Sequence, residues 1–246
     1  MDDRGTIAVT GANRGIGAAI VRDLARRGFA VACLSRRGEA PALGDAVPAR
    51  PISAFACDVR DTGSLAEAFR AIAEQPGGLM GLVNNAGIHV TGPSERFSDA
   101  DFAEVLAVNT VGLFAACREA YPFLLRRGGG LIVNLGSFFD RMGVPHNTAY
   151  AASKAAVAAI TRCLGVEWAA QGVRVVNVAP GYVATELNRE YLAKERSREY
   201  IERRVPLKRP GTPEEVARLI GALFAEDLPY LIGETIYMDG GHGIAH

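Results

Sequence analysis

The sequence predicts an α/β fold, a doubly wound parallel sheet of about seven strands with helices on both faces, in a single domain over 1–246. Three observations carry that expectation. Short runs of small and branched residues alternate with longer apolar-periodic stretches along the chain, no repeat or linker interrupts them, and the first run leads directly into glycines and a helix. Such alternation implies parallel strands joined by right-handed crossovers, and in such sheets ligands bind beyond the carboxyl ends of the strands.

The first strand is expected at 6–10, followed by glycines and a helix reaching about Arg27. A second strand covers 30–34, after which a Pro/Gly/Ala stretch over 38–51 reads as loop. The third strand falls near 53–57, a helix fills 64–73, and the fourth strand is 79–84. Ser98 and Asp101 resemble a capping box that opens a long helix to about Leu125. The fifth strand is 131–135, the next helix 150–169 and the sixth strand 173–178. In Thr212-Pro213-Glu214-Glu215 the Thr caps a helix, the Pro takes its first position and a Glu reaches back. A last strand is expected at 231–237.

Bulk composition narrows the function classes. With 246 residues the chain can bury a sizeable core. Lys+Arg and Asp+Glu both number 27, so net charge gives no case for nucleic acid or an anionic membrane as partner. No apolar run reaches ~18 residues, so no membrane span is expected, and the N-terminus lacks the basic and apolar regions of a signal peptide. Cys33, Cys57, Cys117 and Cys163 stand apart among apolar neighbours and read as buried reduced thiols. A cytoplasmic protein is the expectation, and nothing points to a metal.

Two patterns carry chemistry. The first strand-to-helix junction reads Thr10-Gly11-Ala12-Asn13-Arg14-Gly15-Ile16-Gly17. Glycines there let a backbone approach a pyrophosphate, and the helix start offers unpaired N–H groups and the positive end of its dipole. A tight turn needed only for packing would look the same in isolation. The second pattern is Tyr150-x-x-x-Lys154, with Ser137 upstream at the end of a strand. Residues four apart share a helix face. An ammonium ~5 Å from a phenol contributes about 3 kcal/mol at an effective dielectric of ~20, or roughly two pKa units toward neutrality. Tyr150 could then give a proton to a carbonyl oxygen as hydride arrives, or take one from an alcohol.

Together with Asn84-Asn85-Ala86-Gly87, Pro180-Gly181, Thr185 and Asp239-Gly240-Gly241, these motifs make the chain resemble the short-chain dehydrogenase/reductase family from Thr6 to Gly241. The resemblance implies a Rossmann-like fold, a nicotinamide cofactor and a catalytic tetrad of Asn109, Ser137, Tyr150 and Lys154. In that frame Ser137 orients the reacting oxygen, Lys154 also holds the nicotinamide ribose, and Asn109 carries a water linking Lys154 to solvent. The cofactor would lie on Gly11, Asn13, Arg14, Gly15, Ile16 and Gly17, with Asp58 and Val59 under the adenine. Asn85, Ala86 and Gly87 would line it, and Pro180, Gly181, Val183 and Thr185 would fix the carboxamide. Singly, each residue has a plainer use. Tyr150 could be a core tyrosine, Lys154 a snorkelling surface residue, Ser137 a strand end, Asn109 a buried helix polar group and Asp58 a helix cap.

Ser35, Arg36 and Arg37 end the second strand, where an acid would accept from an adenosine ribose. With Arg14 they read as a site for a 2′-phosphate, favouring NADP(H) with NAD(H) possible; solvated surface charge is the other use of these arginines. Family members usually carry a full helix where 38–51 is short and holds Pro41, Pro48 and Pro51, which leaves the adenine side less covered.

The substrate is a small molecule with a carbonyl or secondary alcohol. A 3-oxoacyl thioester leads, with sugars, polyols and other secondary alcohols close behind; a silent NADPH-binding sensor or scaffold is the reading from another class. Candidate substrate residues are Phe139, His146, Tyr182 and Leu187, beneath a helical lid over 186–208. By the same resemblance the chain is expected to form a homotetramer, or a homodimer, through its two long helices. The alanines at 151, 152, 155, 156 and 159 suit close helix approach or packing on the chain's own sheet.

Overall fold

The computed structural model describes residues 5–44, 47–226 and 228–245, with the side chain of Leu187 outside the description. Seven strands form one sheet: β1 (Thr6–Thr10), β2 (Ala30–Ser35), β3 (Ile52–Ala56), β4 (Leu79–Asn84), β5 (Gly130–Leu135), β6 (Val173–Pro180) and β7 (Thr235–Met238). All are parallel, in the order β3-β2-β1-β4-β5-β6-β7. The order reverses between β1 and β4, so a crevice opens beyond their carboxyl ends. Every residue of β1 and β2 is buried, which explains their unbroken small and branched composition.

The helices are α1 (Gly15–Arg26), α2 (Thr62–Ala73), α3 (Asp99–Leu106), α4 (Leu113–Arg126), α5 (Thr148–Trp168), α6 (Arg189–Ala193), α7 (Glu195–Arg204) and α8 (Pro213–Ala225). Leu65, Phe69, Ala116, Leu124, Val157 and Trp168 of α2, α4 and α5 fill an apolar layer on one face of the sheet. On the other face Ile20, Leu24, Val216 and Ile220 of α1 and α8 close a second layer. The continuous stretch Asp99–Arg126 is long and apolar enough by length and composition to cross a membrane. Leu113, Ala116, Cys117, Ala120 and Leu124 on it are buried in the first layer, as a core helix requires.

Local signals set the helix starts. Thr212 and Glu215 exchange both bonds of a capping box, with Pro213 opening α8. Asp61 accepts from the N–H groups of Gly63 and Ser64 and starts α2 two residues before the sequence expectation. Ser98 accepts from the Asp101 N–H, but the Asp101 carboxylate accepts a hydrogen bond from the Ser98 hydroxyl at 2.7 Å and does not reach back to the backbone. Between α3 and α4 the chain makes a π-helical segment, Ala107–Gly112. Such bulges cluster at functional sites, and this one contains Asn109.

Two further expectations change. β7 begins at Thr235, not at 231, because Gly233 turns at φ +66 and its N–H bonds the Val175 carbonyl at 2.7 Å before the ladder starts. Cys163 is exposed on α5, unlike the other three thiols. Of the two uses open to the alanines of α5, Ala152 and Ala155 take the outward one with Val166, while Ser153, Val157, Thr161, Leu164 and Trp168 face the core. As expected, the described part of 38–51 holds no helix, yet Pro41 is buried and Leu43 packs against the second layer.

Candidate active site

Six strand ends and their following turns converge on the crevice. At β1 the chain turns through Gly11 (φ +62) and Gly15 (φ +54), conformations open to glycine and costly for other residues. A Cβ on Gly17 would drive into the Gly11 carbonyl oxygen. Arg14 stands at the N-cap with no side-chain hydrogen bond to the helix start, leaving the first N–H groups of α1 available. Asn13, Arg14 and Gly15 line a cleft of ≈ 740 Å³, with Pro41 and Ala42 on one side and Thr185 and Arg189 on the other. Pro41 and Ala42 therefore wall part of the space that a family helix would cover. Arginines, open N–H groups and a glycine cradle fit the phosphates of a nicotinamide dinucleotide. Ile16 packs into the second apolar layer and anchors the loop.

The β4 turn holds that loop in place. Asn85 gives its amide N–H groups to the Thr10 and Gly11 carbonyls, both at 3.0 Å. Thr10 Oγ1 accepts from the Asn85 and Ala86 N–H groups, also at 3.0 Å. The Asn85 side chain thus ties β1 to β4. Gly87 lies against Asn109, whose Oδ1 would stand 3.3 Å from an added Cβ.

At the end of β2, Ser35 is buried and bonds both backbone groups of Glu39. Arg37 pairs with Glu39 at 3.0 Å, whereas Arg36 projects exposed. Asp58, after β3, is gripped by Arg60 at 2.6 Å, and that hydrogen bond holds its carboxyl below the usual range. Asp58 caps no helix; Asp61 does. Val59 packs on the first apolar layer beside Gly112.

Beyond β5 the Tyr–Lys pair meets Ser137. Ser137 is buried and accepts from the Phe139 N–H at 3.3 Å. Tyr150 and Lys154 lie on the first turns of α5, and the Lys154 Nζ sits 5.5 Å from the Tyr150 ring centroid. Lys154 is buried and donates to the Leu135 carbonyl at 2.7 Å. Burial pushes the Tyr150 phenol up to about 12, opposed by its hydrogen bond to Ser137. Burial also brings the Lys154 ammonium down to about 8. The expected Coulomb pull of Lys154 does not offset burial in the protein alone, because its proton is directed at Leu135 and both charged forms lose water. Asn109 is fully buried, accepting from the Ile88 N–H at 2.8 Å and donating to the Ile88 carbonyl at 2.9 Å and to Ser153 Oγ at 3.1 Å. Its amide is spent on protein groups, so a water beside Lys154 would have to rest on backbone. Ser153 in turn donates to the Tyr150 carbonyl at 2.7 Å.

After β6, Gly181 lets the chain pass against Asp239, whose Cα would stand 2.7 Å from an added Cβ. Val183 is buried and Thr185 opens the lid. The carbonyl of Val183 accepts from Asn188 Nδ2 at 2.8 Å, while the Thr185 N–H and hydroxyl both donate to Asn188 Oδ1. Asn188 was absent from the sequence expectation, and its only sequence signal is the Thr-x-x-Asn spacing.

The substrate side is aromatic. Tyr182 touches Phe138 at 5.1 Å and His242 at 5.8 Å between centroids, with Tyr191 and Tyr200 from the lid over it. Burial pushes the Tyr182 phenol far up. Phe139 meets the Tyr150 ring edge-on at 5.7 Å. His146 is exposed in its loop with φ +67. The ring on Tyr150 is instead His89, at 4.3 Å, which the motif pattern passes over.

Residues 11–243 match the family model described as Enoyl-(Acyl carrier protein) reductase. The chain is 37% identical over 243 residues to 3beta-hydroxysteroid dehydrogenase 1 of Eggerthella lenta, covering 96% of this chain and 92% of the relative.

The chain belongs to the short-chain dehydrogenase/reductase family.

It is also 36% identical to glucose 1-dehydrogenase of Gluconobacter oxydans, over 96% of this chain and 90% of that one. To the 3-oxoacyl-[acyl-carrier-protein] reductase MabA of Mycobacterium tuberculosis it is 34% identical, over 98% and 94%. Among solved structures, a gluconate 5-dehydrogenase from Burkholderia cenocepacia in complex with NADP and tartrate superposes with a TM-score of 0.88. That pair is 28% identical over 99% of this chain and 98% of the other. As a short-chain dehydrogenase/reductase, this protein is an NAD(P)-dependent oxidoreductase acting between secondary alcohols and carbonyls.

Proposed function

We propose that the protein is an NADP(H)-preferring oxidoreductase in which Tyr150 transfers the proton, and that its substrates are small carbonyl compounds or secondary alcohols. The convergence of Ser137, Tyr150 and Lys154 beside the glycine loop is the observation that carries this reading. A bound nicotinamide supplies the hydride and, when oxidised, a positive charge. Gly11, Asn13, Arg14, Gly15 and Gly17 would hold its phosphates, while Val183 and Thr185 would take its carboxamide after releasing Asn188. Lys154 would hold the ribose hydroxyls. Ser137 donates to the reacting oxygen and sets its position against the phenol. Asn109 acts as a positioning residue, since it fixes Ser153 and through it the first turn of α5.

The preference for NADP(H) rests on Arg36 and Arg14. Arg37 is occupied by Glu39, whereas Arg36 and Arg14 stand exposed without an ion pair among the described residues, and Arg14 lines the cleft. Nothing acidic takes the end of β2 itself.

The 3-oxoacyl thioester and the sugar or polyol readings both agree with the relatives. A silent sensor is disfavoured by the intact Ser137, Tyr150 and Lys154. Assembly as a homotetramer is supported by the outward Ala152, Ala155 and Val166 of α5 and the exposed Val111 and Phe114 of the other long helical stretch.

The test is Tyr150→Phe. Its turnover is expected to fall by roughly 10³-fold or more, within the range of lost general acid–base catalysis, with NADPH binding by fluorescence titration retained. Unchanged turnover would sink the mechanism. In the same titration Arg36→Asp should weaken NADPH about 10- to 100-fold, the size of a lost charge-assisted contact, and leave NADH less affected. Tighter binding of NADH than NADPH by the wild type would refute the cofactor preference.

A further inference from the structure

His89 follows the Asn-Asn-Ala-Gly-Ile turn and packs its ring on Tyr150, 4.3 Å between centroids, with Phe139 edge-on to it at 6.3 Å. Its protonation is fixed by a chain of hydrogen bonds. The Pro145 carbonyl can only accept, and Asn147 Nδ2 donates to it at 2.7 Å. That sets the amide, so Asn147 Oδ1 is the atom facing His89, and this oxygen also only accepts. The His89 Nε2, 2.5 Å away, therefore carries the proton. Burial holds the ring below the usual histidine range and the charge of Lys154 pushes the same way, against an upward pull from the Asn147 bond, which favours the neutral imidazole. Nδ1 is then a bare acceptor, and among the described residues nothing donates to it.

We propose that His89 is a specificity-determining residue whose Nδ1 accepts a hydrogen bond from a hydroxyl on the carbon next to the reacting one. The substrates are then vicinal diols and α-hydroxy ketones, the chemistry of polyols and sugars. This deepens the reading above and rests on Tyr150 as the proton-transferring group. The imidazole lies on the phenol ring, next to the groups that flank an oxygen hydrogen-bonded to that phenol, and in this proposal Nδ1 is the atom that meets them. A polyol presents an O–H there. A 3-oxoacyl thioester presents a methylene between its two carbonyls, and a ring ketone without a neighbouring hydroxyl presents only C–H, either of which leaves the imidazole nitrogen unpaired. A site with such an acceptor disfavours the analogue lacking the hydroxyl. The neighbouring hydroxyl is held and not consumed: the carbinol carbon loses a hydride and its oxygen loses a proton, and the product is the α-hydroxy ketone.

The experiment uses matched pairs that differ by one hydroxyl: cyclohexane-1,2-diol against cyclohexanol, and butane-2,3-diol against butan-2-ol, oxidised with NADP⁺ and with NAD⁺. 3-Hydroxybutan-2-one against butan-2-one is run in reduction with NADPH and NADH. For the wild type, kcat/KM is expected to favour the hydroxylated member by about tenfold or more, the worth of one such hydrogen bond. In His89→Phe, which keeps a ring but no acceptor, the ratio should fall toward one, chiefly through KM of the hydroxylated member. His89→Gln, whose amide can donate to Asn147 and still offer an oxygen, should keep most of the preference.

A wild-type ratio near one, or wild-type silence on every hydroxylated member, overturns the proposal without any variant. So does a ratio that survives in His89→Phe. If that ratio survives while Tyr150→Phe is inactive, His89 alone is refuted. If the ratio collapses but Tyr150→Phe still turns over, the proton-transfer reading has failed and the selectivity role stands.

Discussion

The base of α5 and the lid beyond β6 are both placed around the same crevice, but they are built differently. At α5 the polar groups are buried and tied to one another: Asn109 to Ile88 and Ser153, Ser153 to the Tyr150 carbonyl, Lys154 to Leu135. In the lid, α6 has no buried residue and α7 buries only Ser197 and Ile201. It is held by the Asn188 clasp at its root and by Tyr191 and Tyr200 against Tyr182. Interlocked buried bonds fix atoms to within the tolerance chemistry needs, whereas a few exposed ring contacts allow opening. The reacting atoms are thus set by the rigid half, and what reaches them is gated by the loose half.

The sharpest way to break that contrast is to remove the centre of the rigid half. Asn109→Ala removes a fully buried amide and leaves the N–H and carbonyl of the half-buried Ile88 without their partner. Each stranded group costs about 1–3 kcal/mol, so a loss of about 4 kcal/mol is expected by denaturant titration. Turnover should fall beyond what the lost stability explains, because Ser153 and the first turn of α5 lose their tether. A loss under 1 kcal/mol would show that the buried network does not hold the site.

Next in size is the charge that the rigid half buries. Lys154 titrates at about 8 in the folded protein, against an ordinary value of 10.5. Between those pH values the unfolded chain binds the extra proton, so this group makes stability rise with pH. Below pH 8 both states are charged and the full burial cost is present; above 8 the folded ammonium gives up its proton and the cost is relieved. Relative to Lys154→Met, wild-type stability should climb by up to about 1.4 kcal/mol per pH unit from 8 toward 10, and about 3 kcal/mol in all. Measuring urea midpoints for both proteins across that window checks the sign. A flat difference would mean that Lys154 stays charged and hydrated.

What could be read from sequence follows the same division. The glycine loop, the Thr212 box and Tyr150-x-x-x-Lys154 are local spacings, and each dictates geometry within one or two turns of chain. The parallel, doubly wound character of the sheet followed from alternation and the right-handed crossover. His89 was not legible, because its meaning comes from Tyr150 and Asn147, which arrive from 61 and 58 residues away. The direction of the Tyr150 shift was missed for a related reason: spacing gives the distance to Lys154 but not the burial around both, and burial wins. Asp58 had a helix cap as its plainer use, but Arg60 holds its carboxylate and Asp61, which the sequence reading did not single out, caps α2. Asn188 looked like one more polar residue in a charged segment, since two of its three partner groups are backbone atoms that no composition reveals.

The smallest expected effect concerns that residue, and it tests the loose half directly. Asn188 presents a carboxamide to the Val183 carbonyl and to the N–H and hydroxyl of Thr185, so its side chain offers the same donor and acceptor groups as a nicotinamide carboxamide. Asn188→Ala removes about 1 kcal/mol of neutral hydrogen bonding. By the local-opening argument, amide exchange across 186–204 should quicken about fivefold while exchange in α5 stays as it was. Global stability should move by only a few tenths of a kcal/mol, because a lid that opens separately contributes little to the cooperative unit. Equal acceleration in α5 and the lid would show that the two halves unfold together, and the contrast between them would fall. With a nicotinamide cofactor bound, the two proteins should converge in the lid, since the groups that Asn188 holds would then have another carboxamide to pair with.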